Sequence, residues 1–237
     1  MTDIKKRVEE LFEVGAHYGF KKTRRNPSVV PFLYGAKNGN DIFDLEQTAA
    51  KLEEALVEVA RVAQNGKQVL FVGSKNEVKN QVKLAAESLG MPYVTGRWIG
   101  GALTNFKEIR RRVDRLESLR EDKEKGSLDK YTKKERLMLD REMEKLATMF
   151  GGIVDMRELP ALVFTIDPEA EHTAMREARH LGIPTMAVAN TDCDFKGMTY
   201  PIPANDSAPK AVEYFVRAIA GAFEEGKKQQ APAKEDK

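Results

Sequence analysis

Five short stretches, QVLFVGS at 68–74, LGMPYVTG at 89–96, PALVFTID at 160–167, IPTMAVAN at 183–190 and YPIPAND at 200–206, constrain this chain more than any other feature. Their apolar cores are too short for helices and are apolar at consecutive positions, the pattern of strands buried on both faces of a sheet. The segments between several of them carry apolar residues three and four apart, as in EAEHTAMREARHLG at 169–182. Strands separated by helices of that length need right-handed crossovers, which give a parallel sheet covered by helices on both faces. The expected body is therefore α/β, a doubly wound, Rossmann-like (flavodoxin-like) domain.

The flanking segments fit the same plan. Ile4, Val8, Leu11 and Phe12 predict an amphipathic helix over 3–14, ahead of Gly15. The following HYGFKKTRRNPSVVPFLYGAKNGND, dense in Gly, Pro and Asn, reads as loop with at most short strand pieces. Leu52, Ala55, Leu56, Val59 and Val62 predict a helix over 45–63 that Gly66 ends. Further helices are expected over 76–89 and 207–225.

One segment departs from the alternation. Between Asn105 and Phe150 charge dominates, yet Phe106, Ile109, Val113 and Leu116, then Leu139, Met143, Leu146 and Phe150, keep helical spacing. The turn-forming KEKGSLDKYT lies between the two series. Two helices with narrow apolar seams joined by a short turn predict an antiparallel coiled-coil hairpin whose seams satisfy each other. The division expected is an α/β body of residues 1–104 and 151–226, an inserted hairpin of 105–150, and a disordered tail of 227–237, which holds no apolar residue larger than Ala or Pro.

Composition narrows the function. Charged residues make up 32% of the chain but the net charge is only +2, so any affinity for nucleic acid must come from local patches. The single cysteine, Cys193, excludes an internal disulfide framework and suits a reducing cytosol. The charged N-terminus MTDIKKRVEELFEV does not read as a signal peptide, and no apolar stretch is long enough to span a bilayer. A cytoplasmic protein without membrane contact is expected.

Enzyme chemistry finds little support. FVGSKNE places Gly73 at a strand end, where nucleotide folds put phosphate loops, but no G-x-G-x-x-G or G-x-x-x-x-G-K-[ST] accompanies it, and Gly66-Lys67 precedes its strand. A turn needing positive φ is the preferred reading of Gly73. Asp167, Asp192, Asp194 and Asp206 should gather at the carboxyl edge of the sheet, where with His17 they could hold a cation or share a proton. Asp167 and Asp206 each precede a helix, however, and capping is the preferred reading for both. His17, His172 and His180 lack ligand spacing and no nucleophile motif is present. No catalytic residue, metal, cofactor or small-molecule substrate is expected.

The positive signal is basic. Lys21, Lys22, Arg24 and Arg25, followed by Asn26, put four cations within five residues of a loop, where they can reach separate phosphates. RWIGGALTNFKEIRRR adds Arg97, Lys107, Arg110, Arg111 and Arg112, opposed only by Glu108. Thr104 and Asn105 could cap the helix that follows or bond phosphate, and Trp98 is either a core anchor or a stacking face for a base.

The blocks VGAHYGFKKTRRNPSVVPFLYGAKNG, QVLFVGSKNE, RWIGGALTNF, TKKERLMLDREMEKL, GGIVDMRELPALVFTIDP and LGIPTMAVANTDCD, in this order, closely resemble the bacterial small-subunit ribosomal protein S-two family over residues 8–225. The resemblance implies a structural protein near the head-body junction of the small subunit. Its implied partners are small-subunit rRNA, neighbouring ribosomal proteins and the mRNA-binding protein S-one. By matching position, Lys21 to Asn26, Arg97 to Asn105 and Lys107 to Arg112 become the candidate RNA or assembly contacts. The chain departs from the family at His17-Tyr18-Gly19-Phe20, where many members read H-x-G-H, and at Asn190 and Ser207, where some have Asp. Some relatives hold zinc in this area, and the losses argue against metal here. A nucleotide-using α/β enzyme and a protein scaffold that binds no RNA are the alternatives.

Overall fold

The structure, a computed structural model, describes residues 2–229. The chain opens with helix α1 (Thr2–Glu13) and strands β1 (Tyr18–Lys21), β2 (Leu33–Lys37) and β3 (Asn40–Phe43). Helix α2 (Leu45–Gln64), β4 (Val69–Val72), α3 (Lys79–Leu89) and β5 (Tyr93–Val94) follow. After α4 (Phe106–Glu124) and α5 (Lys133–Phe150) come β6 (Leu162–Ile166), α6 (His172–His180), β7 (Thr185–Ala189), β8 (Tyr200–Pro203) and α7 (Pro209–Lys228).

Strands β4 to β8 form one parallel sheet in the order β5-β4-β6-β7-β8. Counted from its first strand this is 2-1-3-4-5, the flavodoxin-like order, with the direction of winding reversing between β4 and β6. Side chains alternate across the sheet as the pleat requires. Val69, Phe71, Leu162, Phe164, Met186, Val188 and Ile202 face one layer, built from α2, α3 and α7. Leu70, Val72 and Val163 face the other. Each such side chain taken from water stabilises the fold by roughly 1.5–3 kcal/mol.

The second layer corrects one expectation. Ile109, Val113, Leu116 and Leu119 of α4, with Leu146 and Phe150 of α5, are buried in the same cluster as Leu70, Val72, Val163 and Ala174 and Ala178 of α6. The seams of the two helices therefore do not satisfy only each other. Their root closes the face of the sheet that α6 alone leaves open, and only the outer part stands clear. Ion pairs join the two helices along their solvent side, Arg115 reaching Glu142 at 3.2 Å and, farther out, Lys123 reaching Asp140 at 2.7 Å. In the turn, Thr132 and Glu135 form a reciprocal capping box that starts α5.

The stretch read as loop between His17 and Asp41 is more ordered than expected, because its strand pieces pair into an antiparallel sheet, β1-β3-β2. This small sheet docks on the loop after β7, where the Phe20 amide donates to Thr191 Oγ1 at 3.1 Å and the Asn26 amide to the Thr191 carbonyl at 2.8 Å. A Cβ on Gly19 would meet Thr191 Cγ2 at 2.6 Å, so the close approach needs glycine.

Other boundaries shift. Helix α3 starts at Lys79, three residues later than expected, since residues 75–78 form a turn. Helix α7 begins at Pro209 and runs to Lys228, so two residues assigned to the tail are helical. Residues 230–237 of that expected tail lie outside the described residues. Gly73 is not at positive φ. It is required instead by packing, as its Cβ would lie 2.8 Å from Val78 Cγ1 and 3.1 Å from Val82 Cγ2.

Candidate nucleic-acid interface

The carboxyl ends of the parallel strands bring the two basic segments to one edge. Residues 95–105 follow β5, while the loop 21–26 is hydrogen-bonded to the segment after β7. Between them lie the loops after β4 and β6, with a groove lined by Lys79, Arg97, Trp98 and His172. A second hollow adjoins it through His172, with Arg176 and Arg179 in its wall. Lys79, Arg176 and Arg179 were not among the expected contacts, because nothing in the sequence near them is basic enough to stand out. They join the edge only once the sheet is folded.

The expected contact residues divide into two groups. Arg25 is committed inside the protein, pairing through Nε and Nη2 with both oxygens of Asp41, the Nε bond measuring 2.7 Å. Asn26 accepts from the Ser28 amide at 3.0 Å and caps the short 3-10 helix that follows. Arg110 is engaged by Glu117, by Asp114 at 2.8 Å and by the Val154 carbonyl at 2.6 Å. Trp98 is half-buried with its indole N–H on Glu177, and Thr104 bonds the same carboxylate. Asn105 stands at the start of α4 but its side chain makes no capping bond.

The second group faces solvent. Lys21, Lys22, Arg97, Lys107 and Arg112 are exposed and form no ion pair among the described residues. Arg24 lies over the Phe20 ring, 4.8 Å from its centroid, and touches Asp192 at 3.4 Å. Among the described residues Arg111 pairs only with exposed Glu108, a contact worth little in water.

The winding reversal at the ends of β4 and β6, where such sheets bind nucleotides, is filled by the protein itself. The Glu171 carboxylate accepts from the Ser74 amide at 2.8 Å and from the Ser74 hydroxyl, the place a phosphate would take. Asp167 accepts from the amides of Glu169 and Ala170 at 3.1 Å each, and so caps the turn ahead of α6 instead of the helix itself, whose N-cap is Glu171. Asp206 does not cap α7 either. Asn205 accepts from the Ser207 and Ala208 amides instead, while Asp206 takes bonds from Asn190 and Ser207 side chains.

Asp167, Cys193 and Asp206 place their ligand atoms within 4.8 Å of one another. They do not fit a cation, because the Lys75 ammonium already pairs with Asp167 and lies 3.8 Å from Asp206. Burial, with the neighbouring carboxylates, also pushes the Cys193 thiol up, away from the thiolate that metals bind. Burial pulls the Lys75 ammonium down, yet Asp206 and Asp167 together hold it above its ordinary value. Asp206 is pushed up to about 6, first by burial and then by the charge of Asp167. His17 takes no part, being stacked on Phe12 with centroids 4.6 Å apart.

The chain matches the model of the family described as ribosomal protein S2 over residues 11–226. It is 45% identical to the small ribosomal subunit protein uS2 of Chloroherpeton thalassium, over 92% of this chain and 87% of the relative. It is 42% identical to the protein of the same name from Pasteurella multocida, over 97% of this chain and 95% of the relative. With that of Chlorobaculum tepidum the identity is 43%, over 90% and 86%.

Proposed function

The chain belongs to the ribosomal protein S2 family, and on that premise we propose that it is a non-catalytic structural constituent of the small ribosomal subunit, binding rRNA through the carboxyl edge of its parallel sheet. The observation that carries this is a set of exposed cations that form no ion pair among the described residues: Lys21 and Lys22 in the loop docked on the segment after β7, Arg97 after β5, and Lys107 and Arg112 in the first turns of α4. Cations free of internal partners can each neutralise a phosphate and release counterions. The site of action is the ribosome in the cytoplasm.

Neighbouring ribosomal proteins are the second class of partner. The outer part of the helix pair exposes Tyr131, Leu137 and Met138, apolar surface suited to protein contact. Anchoring of the mRNA-binding protein S-one is the finer role, consistent with the exposed Phe12 and Tyr18 at the start of the chain.

The reading is tested by changing Lys21, Lys22, Arg97 and Arg112 singly and together to Gln in a tagged full-length chain, then measuring co-sedimentation with the small subunit across a salt series. Each lost phosphate contact should flatten the slope of log K against log salt by about one. An unchanged slope in the fourfold variant sinks the reading.

A further inference from the structure

Glu177 of α6 has only 9% of its surface exposed, and among the described residues it forms no ion pair. Its carboxylate instead collects five hydrogen bonds from one loop. Oε1 accepts from Trp98 Nε1 at 3.0 Å and the Gly101 amide at 2.8 Å. Oε2 accepts from the Leu103 amide at 3.0 Å, the Thr104 amide at 3.1 Å and Thr104 Oγ1 at 3.2 Å. A carboxylate offers about four lone-pair sites, so this one is saturated by loop donors alone. Burial pushes its acidity toward the neutral form, but the bonds from Trp98, Leu103, Gly101 and Thr104 outweigh that and hold it below the usual range.

Buried Leu103 and Ala102 anchor the loop to the second cluster, on which Trp98 and Ile99 also pack, but the amides of Gly101, Leu103 and Thr104 are gathered by Glu177. Gly101 sits at φ 88, where a side chain would be strained, and Gly100 is exposed. A segment so rich in glycine loses much conformational freedom when it orders. Exposed cations stand on both sides of it, Arg97 immediately before and Lys107, Arg111 and Arg112 in the first turns of α4. With α4 laid on the sheet by Ile109, Val113 and Leu116, folding 98–104 around one buried anion fixes where Arg97 stands relative to the cations at the root of that helix.

We propose that Glu177 is the positioning residue of the RNA interface, its carboxylate casting residues 97–105 into one conformation so that Arg97 and the root of α4 meet the phosphate backbone as a preformed array. This rests on the RNA-binding reading above and deepens it. The sign of the effect separates positioning from charge. Glu177 is an anion close to a surface that binds a polyanion, so removing its charge should tighten RNA binding if charge is all it contributes. If it positions the loop, removal loosens binding, because the loop must then be ordered at the moment of association.

The experiment uses the full chain with Glu177→Ala, Glu177→Gln and a Trp98→Phe, Thr104→Val double variant, which takes two of the five donors and leaves the charge. Hydrogen exchange at Gly101, Leu103 and Thr104 is read beside exchange in β4 and β6, with affinity for small-subunit rRNA across a salt series. The expected result for Glu177→Ala is exchange at least tenfold faster at those three amides with the sheet unchanged. Its rRNA affinity should be about tenfold weaker with the salt slope kept. Glu177→Gln, which keeps one accepting oxygen, should fall between it and the parent. The double variant should weaken binding severalfold, and it carries the test if Glu177→Ala does not fold. Equal or tighter binding by Glu177→Ala and Glu177→Gln with faster loop exchange overturns the inference, as does a double variant that binds like the parent. An Arg97→Glu, Arg112→Glu variant run in parallel distinguishes the failures. If it alone weakens binding, only the positioning role falls; if it too binds like the parent, the RNA-binding reading falls and takes the inference with it.

Discussion

The guanidinium of Arg25 holds both oxygens of Asp41, a carboxylate with no exposed surface on β3. One of four adjacent cations is thereby spent on fastening the small sheet, while its neighbours Lys21 and Lys22 stay in solvent.

Breaking this pair leaves a buried charge without compensation. Arg25→Ala should cost about 3 kcal/mol in urea denaturation, at the low end for buried pairs because Arg25 keeps partial access to water. Removing both partners should cost less than the sum of the single changes. A loss below about 1 kcal/mol in Arg25→Ala would show that water solvates Asp41.

Asp206 carries a pH dependence of unusual direction. Its folded value near 6 lies above the ordinary value of 3.8, so the folded state binds the extra proton between the two. Stability from this group is therefore full below pH about 4 and is lost as pH rises through about 6, a swing of roughly 2–3 kcal/mol. Asp206→Asn removes the titration. Relative to the parent, the variant should gain stability from pH 4 to pH 7, and a difference that stays flat would contradict the assignment.

Gly226 is the point where α7 touches α2. A Cβ there would sit 2.8 Å from Ala60 Cα and closer still to its carbonyl oxygen. Gly226→Ala should force the helices apart and lower stability by roughly 1–3 kcal/mol, measured by thermal or urea unfolding. An unchanged midpoint would mean that the end of α7 moves away without loss.

Arg110 and Arg112 are two residues apart and should behave oppositely. Arg110→Ala, which frees the Val154 carbonyl and leaves Glu117 to Arg157 alone, should cost about 1–2 kcal/mol of stability and leave the salt slope of rRNA binding intact. Arg112→Ala should leave stability within about 0.5 kcal/mol and flatten the slope. Matching behaviour of the two would erase the distinction between anchored and free cations.

Much of this fold is legible along the chain because its strands are apolar without alternation and its helices have clear stripes. Val69 to Val72 and Leu162 to Ile166 announce a sheet covered on both sides. What covers the second side is not legible. The seam of Ile109, Val113 and Leu116 looks the same whether it meets α5 alone or the sheet as well. Trp98 packs against the second cluster, in line with the core-anchor reading, but the partner of its indole N–H has no signal in the sequence. That partner is Glu177, 79 positions away. Asp41 is only 16 positions from Arg25, yet no periodicity links a loop arginine to a strand carboxylate. The Arg110–Asp114 pair, by contrast, lies at plain helical spacing and could be read directly.

Because the first turns of α4 and the last turns of α5 serve as roofing for the sheet, the helix pair has a fixed foundation and an adjustable span. Whole turns can be removed from or added to both helices beyond Leu119 without opening the core, whereas excision at 105–150 would strip Leu70, Val72 and Val163 bare. Any variation in reach toward neighbouring molecules is therefore confined to the outer turns, and a shortened chain spliced there should still fold.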